Sequence, residues 1–219
     1  MSSAGRKSAS AVIPWPVIVE RIFVASSAND PVPDRWPFTL PAVRPIIGDG
    51  LRFSRPVTVL VGENGSGKST IVEALAEAYG VDVRGGHAGR RYGSALPKSP
   101  LGERLRLVTT PRGARMKGRG AKGFFLRAET ALGVFEFMSD YTVAGYGDRH
   151  LGRVSHGEGF LQVFEGRFTD VGLYILDEPE AALSFSGSSS RCRWTTTYFI
   201  SASSTVRWAA ARQAFSALL

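Results

Sequence analysis

The stretch PVTVLVGENGSGKSTIVEALAEAYG, residues 56–80, constrains the fold of this chain more than any other. Residues 57–61 form a short β-branched apolar run suited to a buried parallel strand. Residues 62–69 match G-x-x-x-x-G-K-[ST] without a misfit. Behind them Ile71, Val72, Leu75, Ala78 and Tyr79 recur at helical spacing, and Gly80 stands where a left-handed C-cap would end a helix. Strand, Gly-rich turn and amphipathic helix in immediate succession point to an α/β domain that holds its ligand at the turn.

The residue types at the turn specify the ligand. Glycines let backbone N–H groups turn inward around phosphate oxygens, and the following helix adds the positive end of its dipole. The expected nucleotide-binding set is Gly62, Asn64, Gly65, Ser66, Gly67, Lys68, Ser69 and Thr70. Lys68 reaches the β- and γ-phosphates, and the Ser69 hydroxyl takes a position on Mg²⁺. A Gly-rich turn without a ligand is the bland alternative, and the ordered strand and helix on either side argue against it.

A second stretch, GLYILDEPEAALS at 172–184, supplies carboxylates. Its apolar run ends in Asp177 and Glu178, so both emerge at the C-terminal end of a core strand, where open α/β sheets place ligands. Asp177 is expected to hold Mg²⁺ through water, and Glu178 to accept a proton from the water that attacks the γ-phosphate. Alone, Asp-Glu-Pro after a strand is as often a solvated turn.

These motifs carry a resemblance. GENGSGKST followed by LDEPEAAL resembles the ATP-binding-cassette class of P-loop ATPases, including its soluble SMC/RecF-like relatives in DNA repair and chromosome organisation. VSHGEGFLQVF at 154–164 contains Ser155-His-Gly-Glu, similar to the Ser-Gly-Gly-Gln signature of that class, with His156 and Glu158 as departures. PFTLPAVR at 37–44, GENGSGKST at 62–70, GFFLRAE at 123–129, SHGE at 155–158 and LDEPEAALS at 176–184 also stand in the order found in small bacterial predicted ATPases of the AAA/ABC-like families.

The resemblance implies a P-loop NTPase fold of the ABC-ATPase type, with a parallel core sheet and an N-terminal antiparallel β-subdomain. It implies hydrolysis of ATP to ADP and phosphate, with ATP and Mg²⁺ bound, Lys68 and Glu178 catalytic, and Ser69 and Asp177 on the metal. It further implies a head-to-tail homodimer on ATP binding, in which Ser155 of one head contacts the γ-phosphate held by the other. Glu129 falls near the position of a glutamine that senses Mg²⁺ and water, and a helix-start carboxylate is the equal alternative. Two rival functions are a nucleotide-binding module that does not hydrolyse, and a P-loop kinase.

The rest of the chain bounds these readings. At 219 residues one α/β domain is expected over 15–184, after a flexible N-terminus at 1–14. Pro14, Pro16, Glu20 and Arg21 interrupt the early apolar stretch, which fits neither a signal segment nor a membrane span. A single cysteine, Cys192, agrees with a reducing, cytoplasmic setting.

The net charge of +8 is concentrated at 84–122, with eleven basic residues against one acid, Glu103. That segment reads as a long basic loop with one short strand. Sequence-nonspecific nucleic-acid binding is its sharper alternative, although no aromatic beyond Tyr92 is interleaved for stacking. His87 and His150 stand in Gly-rich loops with no constellation around them, and His156 reads as a surface residue.

PDRWPFTLPAVRPIIGDGLRF at 33–53 suggests strands joined by Pro-rich turns; Trp36 and Phe38 read as core residues, with stacking on the adenine as the alternative. Residues 185–219 contain no acid, and the helix, strand and THS-like end of the resembled group are missing. Of three explanations, true divergence, a deliberately shortened protein and a reading-frame shift near residues 184–187, the frame shift is favoured. TTTYFI at 195–200 is the one plausible strand there, and the P-loop strand is expected to be left with an open apolar edge.

Overall fold

The computed structural model describes residues 16–88, 94–118, 121–127, 129–130, 171–178 and 194–202, the last of these through its backbone. Two sheets share one core. The smaller is antiparallel, in the order β2-β1-β5, and is built from β1 (Val19–Val24), β2 (Leu51–Arg52) and β5 (Leu105–Thr109). The larger has the order β3-β8-β7-β6-β4, with β3 (Val57–Glu63), β4 (Gly86–His87), β6 (Gly123–Arg127), β7 (Gly172–Asp177) and β8 (Trp194–Ala202).

The helix α1 (Lys68–Tyr79) joins the two sheets. Its Leu75 and Tyr79 belong to one buried cluster with Ile22 and Leu105 of the small sheet and Phe125 and Ile175 of the large one. The apolar spacing read from the sequence is the face it buries, and Gly80 ends it in the left-handed conformation at φ 103°. Burial pushes the Tyr79 hydroxyl well above the usual tyrosine range, and it donates to the Lys122 carbonyl at 2.9 Å.

Three expectations are corrected here. The large sheet is mixed, not parallel: β6 and β7 pair in parallel, while β8 is antiparallel to both β3 and β7, and β4 is antiparallel to β6. The open edge expected beside β3 is filled, because β8 pairs along its whole length, from Val57 with Ile200 to Glu63 with Trp194. Strand β3 is also not fully buried. Its alternate residues Val59 and Val61 are 42% and 65% exposed, since α1 covers one side of the strand and these two point to the other.

The small antiparallel sheet fits the expected N-terminal β-subdomain, but its third strand comes from the basic segment. Residues 84–122 contain the short strand expected there, which is β5, but are not otherwise one long loop. They hold α2 (Pro100–Arg104), β5 and α3 (Pro111–Ala114), with Ser99 and Thr110 as side-chain N-caps and Pro at the first turn of each helix. The Glu77 carboxylate on α1 accepts from the Ser99 hydroxyl at 3.0 Å and from its backbone N–H at 3.1 Å, which docks α2 on α1. His87 lies in β4 with its ring edge against Phe124 at 5.1 Å, and so belongs to the sheet rather than a loop.

Trp36 and Phe38 part company. Phe38 is buried, whereas Trp36 is 62% exposed and is not a core residue. Ser155, His156, Glu158, His150 and Cys192 lie outside the described residues.

Candidate nucleotide site

Strands β3 and β7 run in the same direction because each is antiparallel to β8 between them. In register, Leu60 and Asp177 both face Thr197, and Arg127 of β6 lies beside Asp177. Strand β3 therefore continues three residues past the end of β7, about 10 Å at 3.3 Å per residue. The turn at 64–67 reverses the chain there, and α1 returns across the end of β7.

The turn demands glycine at its last position. Gly67 is the N-cap of α1 at φ 102°, a conformation that other residues rarely adopt. A Cβ there would also approach the Leu40 side chain at 3.1 Å. Leu40 and its neighbours brace the turn from outside, and the Ala42 N–H donates to the Ser66 carbonyl at 3.0 Å. The first turn of α1 has neither a side-chain cap nor an acidic residue of its own.

Lys68 is buried inside this turn. Its ammonium donates to the carbonyls of Gly62 and Glu63, both at 2.8 Å. Backbone carbonyl dipoles thus solvate a cation that the loop holds at its centre. Ser69, one residue on, donates from its hydroxyl to Asp177 Oδ1 at 3.3 Å across 108 residues of sequence. Asp177 is 2% exposed and ends the fully buried strand β7. Glu178 follows at φ 50°, the left-handed region, and it alone among the described non-glycine residues has positive φ. A residue with a side chain held in that region costs about 1–3 kcal/mol.

Arg127 and Glu73 were not singled out in the sequence. Arg127 ends β6, and its guanidinium pairs with Glu73 on α1, with Glu129 at 3.2 Å and with Asp177 at 3.6 Å. Glu73 is four residues after Ser69, one helical turn along, so it shares the face of α1 that looks onto β7. The spacing Ser69 to Glu73 and the charged end of GFFLR were the available signals. Glu129 is exposed and paired with Arg127.

Two hard oxygen donors, the Ser69 hydroxyl and the Asp177 carboxylate, fit one face of a Mg²⁺ ion whose other ligands are phosphate oxygens and water. No cluster of three or more His, Cys, Asp or Glu that could hold a metal by itself occurs among the described residues.

Residues 43–93 match the family model described as AAA domain. The match covers less than a quarter of the chain and spans β2, β3, the turn, α1 and β4. Over that segment it supports a P-loop, nucleotide-binding unit of the AAA type. No curated protein and no solved structure matches the chain. Among the described residues no helix is long and apolar enough to cross a membrane.

Proposed function

We propose that the chain is an ATPase of the ABC-like P-loop type and that residues 62–70 with Asp177 form one Mg-ATP site. The observation that carries this reading is the Ser69–Asp177 contact at 3.3 Å, which joins the phosphate-binding turn to the strand-end carboxylate. In this reading the amides at the start of α1 and those of Gly65 and Gly67 receive the phosphate oxygens. Lys68 exchanges its two carbonyl contacts for the β- and γ-phosphates, where it offsets charge that develops as the γ-phosphoryl leaves. When bound, Mg²⁺ supplies electrostatic stabilisation of the phosphate oxygens, with Ser69 and Asp177 as its protein ligands.

Glu178 is the general base in this reading. Next to Asp177 at the strand end and held at φ 50°, it is assigned to take the proton from the attacking water. Exposed Trp36, four residues before the Leu40 that backs Gly67, is the aromatic available to the adenine ring. Ser155 completes the site in trans in an ATP-dependent head-to-tail dimer.

Equilibrium binding of a fluorescent ATP analogue tests the site. Lys68→Ala should lose binding by at least about tenfold, and equal affinity in parent and variant refutes the assignment. Glu178→Gln should keep binding, lose hydrolysis and accumulate an ATP-dependent dimer by light scattering. Parental turnover in that variant removes Glu178 as base, and a dimer unaffected by Ser155→Ala removes the contact in trans.

A further inference from the structure

The outer face of the small sheet carries an arrangement that folding alone does not favour. The inner face, Ile22 opposite Leu51 and Leu107, and Val24 opposite Leu105, is apolar and faces the core. On the outer face Arg21 stands directly opposite Arg52, with Cβ atoms at about 5 Å for such a pair, and like charges in that position destabilise a sheet. Phe23, two residues along β1, stands opposite Arg106 of β5, which places Arg106 diagonally from Arg21 at about 7–8 Å.

The Arg21 guanidinium lies over the Phe23 ring at 4.8 Å from its centroid. Arg52 and Arg106 are exposed. Among the described residues Arg106 donates only to backbone carbonyls, of Glu103 at 2.7 Å and Leu105 at 3.2 Å. None of the three arginines forms an ion pair among the described residues, although Arg84, Arg104 and Arg127 all do.

We infer that this face binds single-stranded nucleic acid. The charge complement of three unpaired guanidinium groups within one sheet face is a run of phosphates, and the face also holds the ring that a base needs. Arg21 and Phe23 form a flat cationic-aromatic stack at its centre, flanked by Arg52 on one side and Arg106 on the other. That is the combination by which sheet surfaces bind single strands, with arginines on the backbone and a base on the π-surface. The basic segment lacked a stacking platform in the sequence because its aromatic is contributed by β1, more than eighty residues earlier. The site lies on the outer side of the small sheet and does not depend on the nucleotide assignment.

The test is fluorescence anisotropy of a labelled 20-nucleotide oligothymidylate with the purified full chain, titrated between 50 and 200 mM NaCl. Three phosphate contacts predict a slope of log K against log salt of about −2, at roughly −0.7 per contact. Arg52→Gln with Arg106→Gln should bring the slope to about −0.7 and weaken binding at 50 mM at least about fivefold. Phe23→Leu should weaken binding about five- to tenfold with the slope unchanged, as loss of one stacked base requires.

The control Arg115→Gln with Lys117→Gln removes the same charge away from the face and should leave the parental slope. Far-UV circular dichroism and a thermal unfolding midpoint equal to the parent show that each variant is folded. Three results overturn the inference: parental affinity and slope in the Arg52/Arg106 variant, an equal loss in the control, or a 20-base-pair duplex bound as tightly as the single strand and insensitive to Phe23→Leu.

Discussion

Arg127→Met removes the guanidinium that ties α1, β6 and β7 together at the end of the large sheet. Its strongest contact, to Glu73, is a charge-assisted pair whose partners are 21% and 29% exposed, worth about 1–1.5 kcal/mol after solvent screening. The contact to Glu129, 69% exposed, adds about 0.3 kcal/mol. The contact to Asp177 is longer than a hydrogen bond, but Asp177 is 2% exposed and loses a cation beside it, which costs about 1 kcal/mol more. The sum, about 2–3 kcal/mol, corresponds to a fall in Tm of about 5–10 °C for a chain of this size.

Thermal unfolding followed by circular dichroism measures it. Arg127→Lys should recover only part of the loss, because one ammonium cannot serve Glu73 and Asp177 together as the planar fork does. In a double-mutant cycle with Glu73→Gln, the coupling should exceed about 0.5 kcal/mol. Tm values of Arg127→Met and Arg127→Lys both within about 1 °C of the parent refute the reasoning.

Two further outcomes follow from the fold. The folded-state pKa of Tyr79 is raised above its unfolded value of 10.0, so its contribution is fully present below pH 10 and is lost as pH rises beyond it. Urea unfolding between pH 8 and 11 should show that decline, and Tyr79→Phe, at a cost of about 1 kcal/mol at pH 8, should flatten it. Removal of residues 194–219 takes β8 from between β3 and β7 and leaves both strands with open edges, so the shortened chain should sediment as aggregate; a soluble monomer with the parental Tm contradicts the pairing.

Local features of the site were legible in the sequence because they are encoded within about 25 residues. The strand at β3, the Gly-rich turn, the amphipathic α1 and the Gly80 cap each follow from patterns that need no distant partner. Asp177 was legible as the end of an apolar run, and the structure brings it to Ser69. The features missed depend on partners far apart in sequence. The run VTVLV reads as buried from composition, yet which side of β3 is covered depends on where α1 returns, and Val59 and Val61 face away from it.

The antiparallel placement of β8 is set by the slot between β3 and β7, which nothing in the segment's own β-propensity specifies. Arg127 was not singled out because its role emerges only when β6 and β7 pair in register and set it beside Asp177. The short strand expected in the basic segment is β5, but the two short helices beside it and its pairing with β1 were not legible, because they depend on partners outside the segment. Trp36 read as core by type, since large aromatics usually are, but its neighbour Phe38 takes that place.

The central claim is that Ser69 and Asp177 act together on one metal-bound nucleotide, and a double-mutant cycle on the Mg²⁺ dependence of ATP affinity tests it most directly. ATP affinity of the parent, Ser69→Ala, Asp177→Asn and the double variant would be measured with Mg²⁺ and with EDTA. The account predicts that Mg²⁺ tightens binding to the parent, that each single variant loses most of that gain, and that the double variant loses no more than the worse single one. Asp177→Asn retaining the full Mg²⁺ enhancement, or losses that simply add, would contradict it.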